Sequence, residues 1–199
     1  MVKKFSTVLA IILSFFSIAN GQVVSYASEG LVNAAATFSP ALLLTNGDIH
    51  YYINGQAEYF FEKNVSIRSD LYFLNSQVDN EVSFKHNSSL QVGPVFHYTY
   101  GHLDTWFGFQ PGISITKINE NDTLKTTNTL EPILGVSTGL NFYVSKYFHF
   151  FISANYVHGQ YYGMPDEPLA LDEVRALAGL GFNFHFHKFA YWENHVPEF

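Results

Sequence analysis

Apolar and polar residues alternate along the last strongly patterned segment of the chain, residues 174–186. Successive side chains of a β-strand point to opposite faces of a sheet, so this segment has one apolar face and one face of polar residues and glycines. The apolar face comprises Val174, Ala176, Ala178, Leu180, Phe182, Phe184 and Phe186. The other face comprises Arg175, Leu177, Gly179, Gly181, Asn183 and His185. This pattern is typical of a strand in a membrane β-barrel.

Six earlier segments repeat the alternation: residues 49–61, 65–75, 89–100, 105–116, 129–143 and 147–157. The connections between them are short at 62–64, 101–104 and 144–146, and long at 76–88, 117–128 and 157–173. Short turns that alternate with long loops are the connections of an antiparallel barrel whose strands run up and down.

An eighth strand is predicted before residue 49, because single-chain bacterial barrels have an even number of strands. Residues 30–43 are the candidate, with an outer face that comprises Val32, Ala34, Ala36, Phe38 and Pro40. A short helix is the alternative for this alanine-rich segment. As a strand, it would join the next one through a short connection at 45–48.

Prolines interrupt three of the predicted strands. Pro94, Pro111 and Pro132 all fall on the outward register. Proline removes one hydrogen bond from a strand ladder, so each position is expected to mark a β-bulge or a strand end.

The composition of the polar face distinguishes a membrane barrel from a soluble lipocalin-like barrel, which alternates in the same way. Here that face is rich in Gly, Ser, Asn, Gln and Thr, and only 14% of all residues are charged, against 18% aromatic. Soluble surfaces are usually about 25–35% charged. The favoured interpretation is an apolar face toward lipid and a narrow, polar, side-chain-filled lumen.

The overall charge excludes one class of partner. The formal net charge is −7, and phosphate binding by nucleic-acid-binding proteins requires clustered Lys and Arg, so no nucleic-acid partner is expected. Cysteine is absent, which excludes disulfides and thiolate chemistry.

The N-terminus has the pattern of a secretory signal. Lys3 and Lys4 precede an apolar stretch that ends in the small residues Ala19-Asn20-Gly21, and this order is typical of a cleaved signal peptide. An N-terminal membrane anchor is the alternative. The predicted division is a signal peptide at 1–21, an extension at 22–29, a barrel at 30–189 and a tail at 190–199.

The chain resembles the small outer-membrane β-barrel family that includes the OmpA transmembrane domain and OmpX-like proteins. The resemblance rests on the signal peptide, the run Gly179–Phe186 and the hairpin Tyr59–Asn64. It implies an all-β, eight-stranded, antiparallel, up-and-down transmembrane barrel, monomeric, in the outer membrane of a Gram-negative cell. The implied partners are outer-membrane lipid, lipopolysaccharide and the barrel assembly machinery, which recognises an aromatic-rich final strand. The tail at 190–199 departs from the family pattern.

Charged and histidine side chains on the inward register form the candidate site. They are Glu58, Arg68, Asp70, His97, Glu131, Arg175 and His185. Buried charges are costly unless they are paired, so we expect an interior network that closes the lumen. The implied role is structural or surface-interacting. A narrow pore in which Arg68 or Arg175 exchanges carboxylate partners is the alternative.

Catalysis, cofactors and metals are not expected. Lipid A deacylases of this family carry His-x-Ser on a strand, and His97-Tyr98-Thr99 lacks the serine. His185 and His187 share one strand face, but the spacing supplies no third metal ligand. A lipid A-modifying enzyme remains a further alternative.

Overall fold

Strands dominate the computed structural model, which describes residues 26–45, 47–77, 84–118, 128–162 and 169–185. The strands are β1 (Leu31–Leu43), β2 (Ile49–Glu62), β3 (Val65–Gln77), β4 (Phe84–Tyr100), β5 (Leu103–Ile118), β6 (Thr129–Tyr143), β7 (Phe148–Tyr161), β8 (Leu169–Ala170) and β9 (Glu173–His185). The predicted signal peptide at 1–21, residues 22–25 of the extension and the tail at 190–199 lie outside the described residues. In the described ranges, no helix has the length and hydropathy needed to cross a membrane.

Eight long strands close into an up-and-down barrel. Each strand from β1 to β7 pairs antiparallel with the next, and β9 pairs with both β7 and β1. The two-residue β8 pairs with the end of β7. The predicted eight-stranded barrel is confirmed, and a closed barrel leaves no unpaired edge exposed to hydrocarbon.

The alanine-rich segment at 30–43 is a strand and not a helix. Ala34 lies opposite Ala57 of β2 on one side and opposite Phe182 of β9 on the other. The strand is therefore fixed by backbone pairing to both neighbours, which a segment of weak strand propensity requires. The connection to β2 is short, as predicted.

Several strands extend further than the alternation predicts. β4 begins at Phe84, five residues before the predicted start, and β7 continues to Tyr161. A register shift lies between Phe84 and His86. This bulge breaks the two-residue period at Lys85. The alternation resumes at His86, but the outward residues His86 and Ser88 are polar, so the sequence shows no apolar face before Leu90.

The expectation that the prolines mark bulges or strand ends is wrong. Pro94 lies opposite Ile67, Pro111 opposite Leu134 and Pro132 opposite Ile113, inside continuous registers. In the ladder between β4 and β5, pairing is interrupted between Gln91–Gly112 and Val95–Gly108, where two of the prolines lie. The register is the same on both sides of this interruption. Each proline removes a donor toward only one neighbouring strand, and the other pairings keep the strand in register.

The polarity of the barrel is the reverse of a soluble fold. Its outer surface is apolar, and Phe38 is 67% exposed. Its interior is polar, and Asn54, Gln91 and Gln110 are 0% exposed. A band of exposed apolar side chains is stable only where hydrocarbon replaces water, so the barrel is membrane-spanning.

Apolar side chains close the interior at both ends. We call one the short-turn end, which holds the turns at 63–64, 101–102 and 144–147, and the other the long-loop end, which holds the remaining connections. The apolar group at the short-turn end comprises Ala27, Leu31, Phe60 and Tyr143. The group at the long-loop end comprises Leu43, Phe84, Tyr161 and Leu171. The polar interior lies between these two groups.

Candidate functional site

A histidine between two carboxylates forms the centre of the polar interior near the short-turn end. His97 Nε2 lies 2.9 Å from Glu58 Oε1, and His97 Nδ1 lies 2.9 Å from Asp104 Oδ2. Asp104 also accepts hydrogen bonds from Asn141 Nδ2 at 3.0 Å and Thr99 Oγ1 at 3.0 Å. We call Glu58, Ser66, His97 and Asp104 the short-turn cluster.

The short-turn cluster contains a serine, a histidine and a carboxylate in mutual contact, as a hydrolase triad does, but its hydrogen bonds do not suit catalysis. Ser66 Oγ lies 2.9 Å from His97 Nε2, which would suit a nucleophile and its base. However, Ser66 donates to Glu58 Oε1 at 2.6 Å, and its exposed fraction is 1%. A His97 ring that donates to both carboxylates has no lone pair left to accept the serine proton. The arrangement is therefore a buried ion and hydrogen-bond cluster.

Arg68 and Asp70 of β3 form a second charged group in the barrel interior. Arg68 Nε lies 3.2 Å from Asp70 Oδ2, and Arg68 Nη2 donates to Gln56 Oε1. The guanidinium carbon lies 4.2 Å from the centre of the Trp106 ring. Gln110 Nε2 donates to Asp70 Oδ2 at 2.6 Å. Both charges are thus hydrogen-bonded, as a buried pair requires.

The third group surrounds Arg175 and lies toward the long-loop end. Its guanidinium carbon lies 4.3 Å from the Tyr72 ring centre and 4.7 Å from that of Tyr52. Arg175 Nε and Nη2 contact Glu173 Oε2 at 2.9 and 2.8 Å. Glu173 Oε1 accepts from Tyr52 Oη at 2.8 Å and lies 3.0 Å from His50 Nδ1. We call Arg175, Glu173, Tyr52, Tyr72 and His50 the long-loop cluster.

Arg175 also crosses the lumen. Its Nη1 donates to Ser89 Oγ at 3.0 Å. Ser89 is on β4 and Arg175 on β9, and these two strands are four places apart in either direction around the ring of eight. The side chain therefore spans the full width of the barrel. A second cross-lumen bond joins Asn155 Nδ2 of β7 to Gln91 Oε1 of β4 at 2.8 Å.

The structure places five of the seven predicted site residues in these buried groups. Glu58 and His97 contact each other, as do Arg68 and Asp70, and Arg175 pairs with Glu173. All of them are 6% exposed or less.

Glu131 and His185 lie apart from the charged groups. Glu131 is buried at the long-loop end, where its Oε1 accepts from Thr129 Oγ1 at 2.6 Å and from the Tyr162 backbone N–H at 3.0 Å. His185 is exposed at the end of β9, and its Nε2 lies 3.1 Å from Ser28 Oγ. Its predicted place in the interior network is corrected: His185 is the last residue of β9 and pairs with Leu31, but its side chain is exposed at this end of the barrel. His187, considered with His185 as a metal ligand, lies outside the described residues.

Several partners of these charges were missed by the sequence reasoning, among them Asp104, Glu173, His50 and Tyr52. Asp104 and Glu173 were assigned to a turn and a loop, because the strands were predicted one or two residues too short. Each lies on the inward register of its strand, two residues before the first inward residue that was predicted. This spacing is the sequence signal that could have identified them.

Comparison with known proteins gives the fold and no closer relationship. No family model matches the sequence, and no curated protein matches it. The N-terminal barrel domain of Pseudomonas aeruginosa OprF superposes with a TM-score of 0.55 at 16% identity, covering 78% of this chain and 98% of that one. Pseudomonas aeruginosa OprG gives 0.58 at 9% identity, with 80% and 98% covered. Yersinia pestis Ail gives 0.52 at 16% identity, with 78% and 99% covered. The chain thus has the fold of small bacterial outer-membrane β-barrels.

Proposed function

We propose that this protein is a closed-lumen barrel of the outer membrane with a structural or surface-interaction role, which neither conducts ions nor catalyses a reaction. The observation that carries the proposal is the Arg175 side chain, which reaches from β9 to Ser89 on the opposite strand. An eight-stranded barrel has an interior just wide enough for side chains to fill. A guanidinium fixed across that width obstructs the path that an ion would take.

Ion pairing in the interior argues against the narrow-pore alternative. A pore requires Arg68 or Arg175 to exchange partners, but Asp70 holds Arg68 and Glu173 holds Arg175. Breaking a buried pair by removing one partner costs about 3–5 kcal/mol. Gating through these arginines would have to overcome a penalty of that order.

Lipid modification is the other alternative, and the buried serine argues against it. Ser66 is the serine that contacts a histidine inside the barrel, and the Phe60 ring lies 4.5 Å from the His97 ring. A lipid acyl group has no route to a side chain enclosed in this way. Mass spectrometry of lipid A from cells with and without the protein is expected to give identical species; a lipid A species that requires the protein would overturn this part of the proposal.

Planar-bilayer recordings test whether the lumen is closed. Purified barrel should insert without discrete conductance steps, while a porin in the same bilayer provides the positive control. Discrete steps that change in size in an Arg175→Ala variant would overturn the closed-lumen proposal. If wild type does not conduct but Arg175→Ala does, this side chain blocks the lumen. If neither conducts, the lumen is blocked elsewhere.

Detergent dependence tests the membrane assignment against the soluble lipocalin-like alternative. The protein is expected in the membrane fraction and should migrate differently in gels before and after heating, as a folded barrel does. A monomer that stays in solution without detergent would overturn the proposal. The outer-membrane lipid, lipopolysaccharide and assembly-machinery partners belong to this same proposal.

A further inference from the structure

The ladder between the first and the last long strand is interrupted within the barrel wall. β1 and β9 pair at 31–35 and again at 41–43, in one register. Between these parts, residues 36–40 of β1 and 176–180 of β9, all of which the structure describes, form no ladder pairs. We call these two five-residue segments the seam. The ladder between β1 and β2 continues through the same residues of β1, so the interruption affects one side of this strand.

A proline contributes to the interruption. The Leu44 N–H donates to the Asp172 carbonyl at 2.7 Å, so Leu44 directs its backbone groups toward β9. Pro40, four residues earlier, faces the same way, because backbone groups of a strand alternate between its two neighbours. The register continued across the seam places Pro40 opposite Ala176. Proline has no N–H, so the Ala176 carbonyl lacks its backbone donor.

Side-chain hydroxyls replace part of the missing ladder. Ser39 Oγ donates to the Ala176 carbonyl at 2.9 Å, and Thr37 Oγ1 donates to the Ala178 carbonyl at 2.7 Å. Two side-chain bonds thus stand where a continuous backbone ladder would otherwise run. The seam is therefore less completely hydrogen-bonded than the ladder on the other side of β1.

The barrel interior behind the seam is apolar. Leu177 of the seam belongs to a buried cluster with Ala41, Tyr52, Tyr72 and Phe151, and each of these residues is 5% exposed or less. At membrane depth, incompletely paired backbone is tolerated where it lines a water-filled cavity or is buried in protein. An apolar cluster does not supply the water, so burial against protein on the outer side is the condition that the seam requires.

A groove of about 770 Å³ lies along the outer side of the seam. Its lining combines small side chains, among them Ala154, Ala176 and Ala178, with the large, exposed side chains of Phe38 and Ile152. Ala154 lies opposite Ala176, and Ile152 lies opposite Ala178. Small residues at the interfaces of membrane helices allow backbones to approach closely, and the same steric reason applies to strands. The groove is therefore shaped for close contact with another protein surface.

Phe38 is a side chain that can fill such a groove. It is 67% exposed, and the register continued across the seam places it opposite Ala178, at the same height in the barrel wall. Two copies inserted in the same direction are related by an axis along the membrane normal, which leaves heights unchanged. The Phe38 ring of one copy therefore reaches the groove of the other, and the reverse contact forms at the same time, as in an isologous interface.

We propose that the seam and its groove bind a second copy of this chain, which gives a two-fold dimer in the membrane. Each Phe38 ring occupies the partner's groove, and the wall of the partner covers the interrupted ladder. A lipid chain would fill the groove without burying the backbone in protein. The resemblance to small barrels implied a monomer, and the dimer departs from that expectation. This inference rests on the membrane placement made in the proposed function.

Energy transfer between labelled barrels tests the dimer. The chain has no cysteine, so a Lys146→Cys substitution in the exposed short turn carries a donor or an acceptor dye in every variant. In phosphatidylcholine vesicles with excess lipid, energy transfer should exceed that of randomly distributed barrels. Phe38→Ala and Ala154→Leu/Ala178→Leu should lower it to the random level. Leu90→Ala, on the lipid-facing side of β4 and four strands from β9, is the control and should leave it unchanged.

Cross-linking locates the interface without a disruptive substitution. A short bifunctional maleimide should join Ala36→Cys, exposed on the outer face of the seam, into dimers and should leave Leu90→Cys monomeric. Equal cross-linking of both variants would overturn the inference.

The remaining outcomes separate the dimer from the proposed function. Random energy transfer in wild type would show that lipid chains cover the groove and would overturn the inference, as would an equal loss in Leu90→Ala. Failure of wild type to insert into the vesicles would overturn the proposed function itself, whereas insertion as single barrels overturns only the dimer.

Discussion

The two charged clusters of the interior stabilise buried carboxylates in different ways. In the long-loop cluster, Glu173 faces a permanently charged guanidinium that is itself held between the rings of Tyr52 and Tyr72. In the short-turn cluster, Glu58 and Asp104 share one imidazole and add donors from Ser66, Asn141 and Thr99. Glu173 also accepts a hydrogen bond from Tyr52 and contacts His50, but its charge is paired with a guanidinium. Glu58 and Asp104 instead depend on an imidazole and on neutral donors. The effect of a single substitution should therefore be larger in the first.

The largest effect is expected from Arg175→Met. The variant leaves Glu173 buried without its cation, and breaking such a pair costs about 3–5 kcal/mol in the free energy of unfolding. Urea titration of the barrel in detergent micelles, with the folded fraction read from heat-modifiable gel migration, measures the loss. Arg175→Lys is the matched control. It keeps the charge but loses the planar contacts with the tyrosine rings, and an intermediate loss is expected. A Met variant as stable as wild type would contradict the role of the long-loop cluster.

A smaller loss is expected from His97→Gln. Asp104 keeps its donors from Asn141 and Thr99, so the variant loses hydrogen bonding to charged groups, worth about 1.5–3 kcal/mol. The same titration measures it. His158→Gln is the control, because its pair with Asp172 is exposed and should contribute less than about 1 kcal/mol. If His97→Gln costs more than Arg175→Met, the contrast between the two clusters is wrong.

Glycine substitutions should show whether the interior near the short-turn end is filled. A Cβ at Gly181 would overlap the His149 ring, whereas a Cβ at Gly55 meets nothing within 4 Å. Overpacking typically costs about 1–3 kcal/mol, so Gly181→Ala should lower the midpoint of urea unfolding and Gly55→Ala should leave it nearly unchanged. Equal midpoints for the two variants would indicate space around Gly181 that the structure does not have.

The smallest effect is expected from His185→Ala. The side chain is exposed and bonded to Ser28 outside both clusters, so the change in unfolding free energy should stay within about 0.5 kcal/mol. A loss comparable to that of His97→Gln would instead assign His185 to the interior network.

Most of the barrel follows from the two-residue period of its strands. Residues 129–143 were predicted to form one strand, and β6 has these bounds. Where the period is broken, prediction is poorer: the bulge between Phe84 and His86 leaves Lys85 and His86 both exposed, which alternation does not predict. Bulges depend on the pairing partner across the ladder, and one strand alone does not reveal that partner.

The sequence predicted which charges lie in the interior better than it predicted their partners. Alternation places Arg68 and Arg175 on the inward register, but it does not say which carboxylate each will meet. Arg68 pairs with Asp70 on its own strand, and Arg175 pairs with Glu173, which the pattern had assigned to a loop.

The sequence by itself determined seven strands and the polarity of their two faces, because side-chain alternation and connection length are local properties of the chain. The eighth strand at 30–43 followed from the even number of strands in such barrels, with a short helix left as the alternative. Only the tertiary structure decided which side chains meet. The contact of Arg175 with Ser89 depends on the closure of β9 on β1, which brings residues far apart in sequence to opposite walls of one narrow lumen. Closure is a property of the whole sheet, and for this reason the obstruction of the lumen is evident only in the folded barrel.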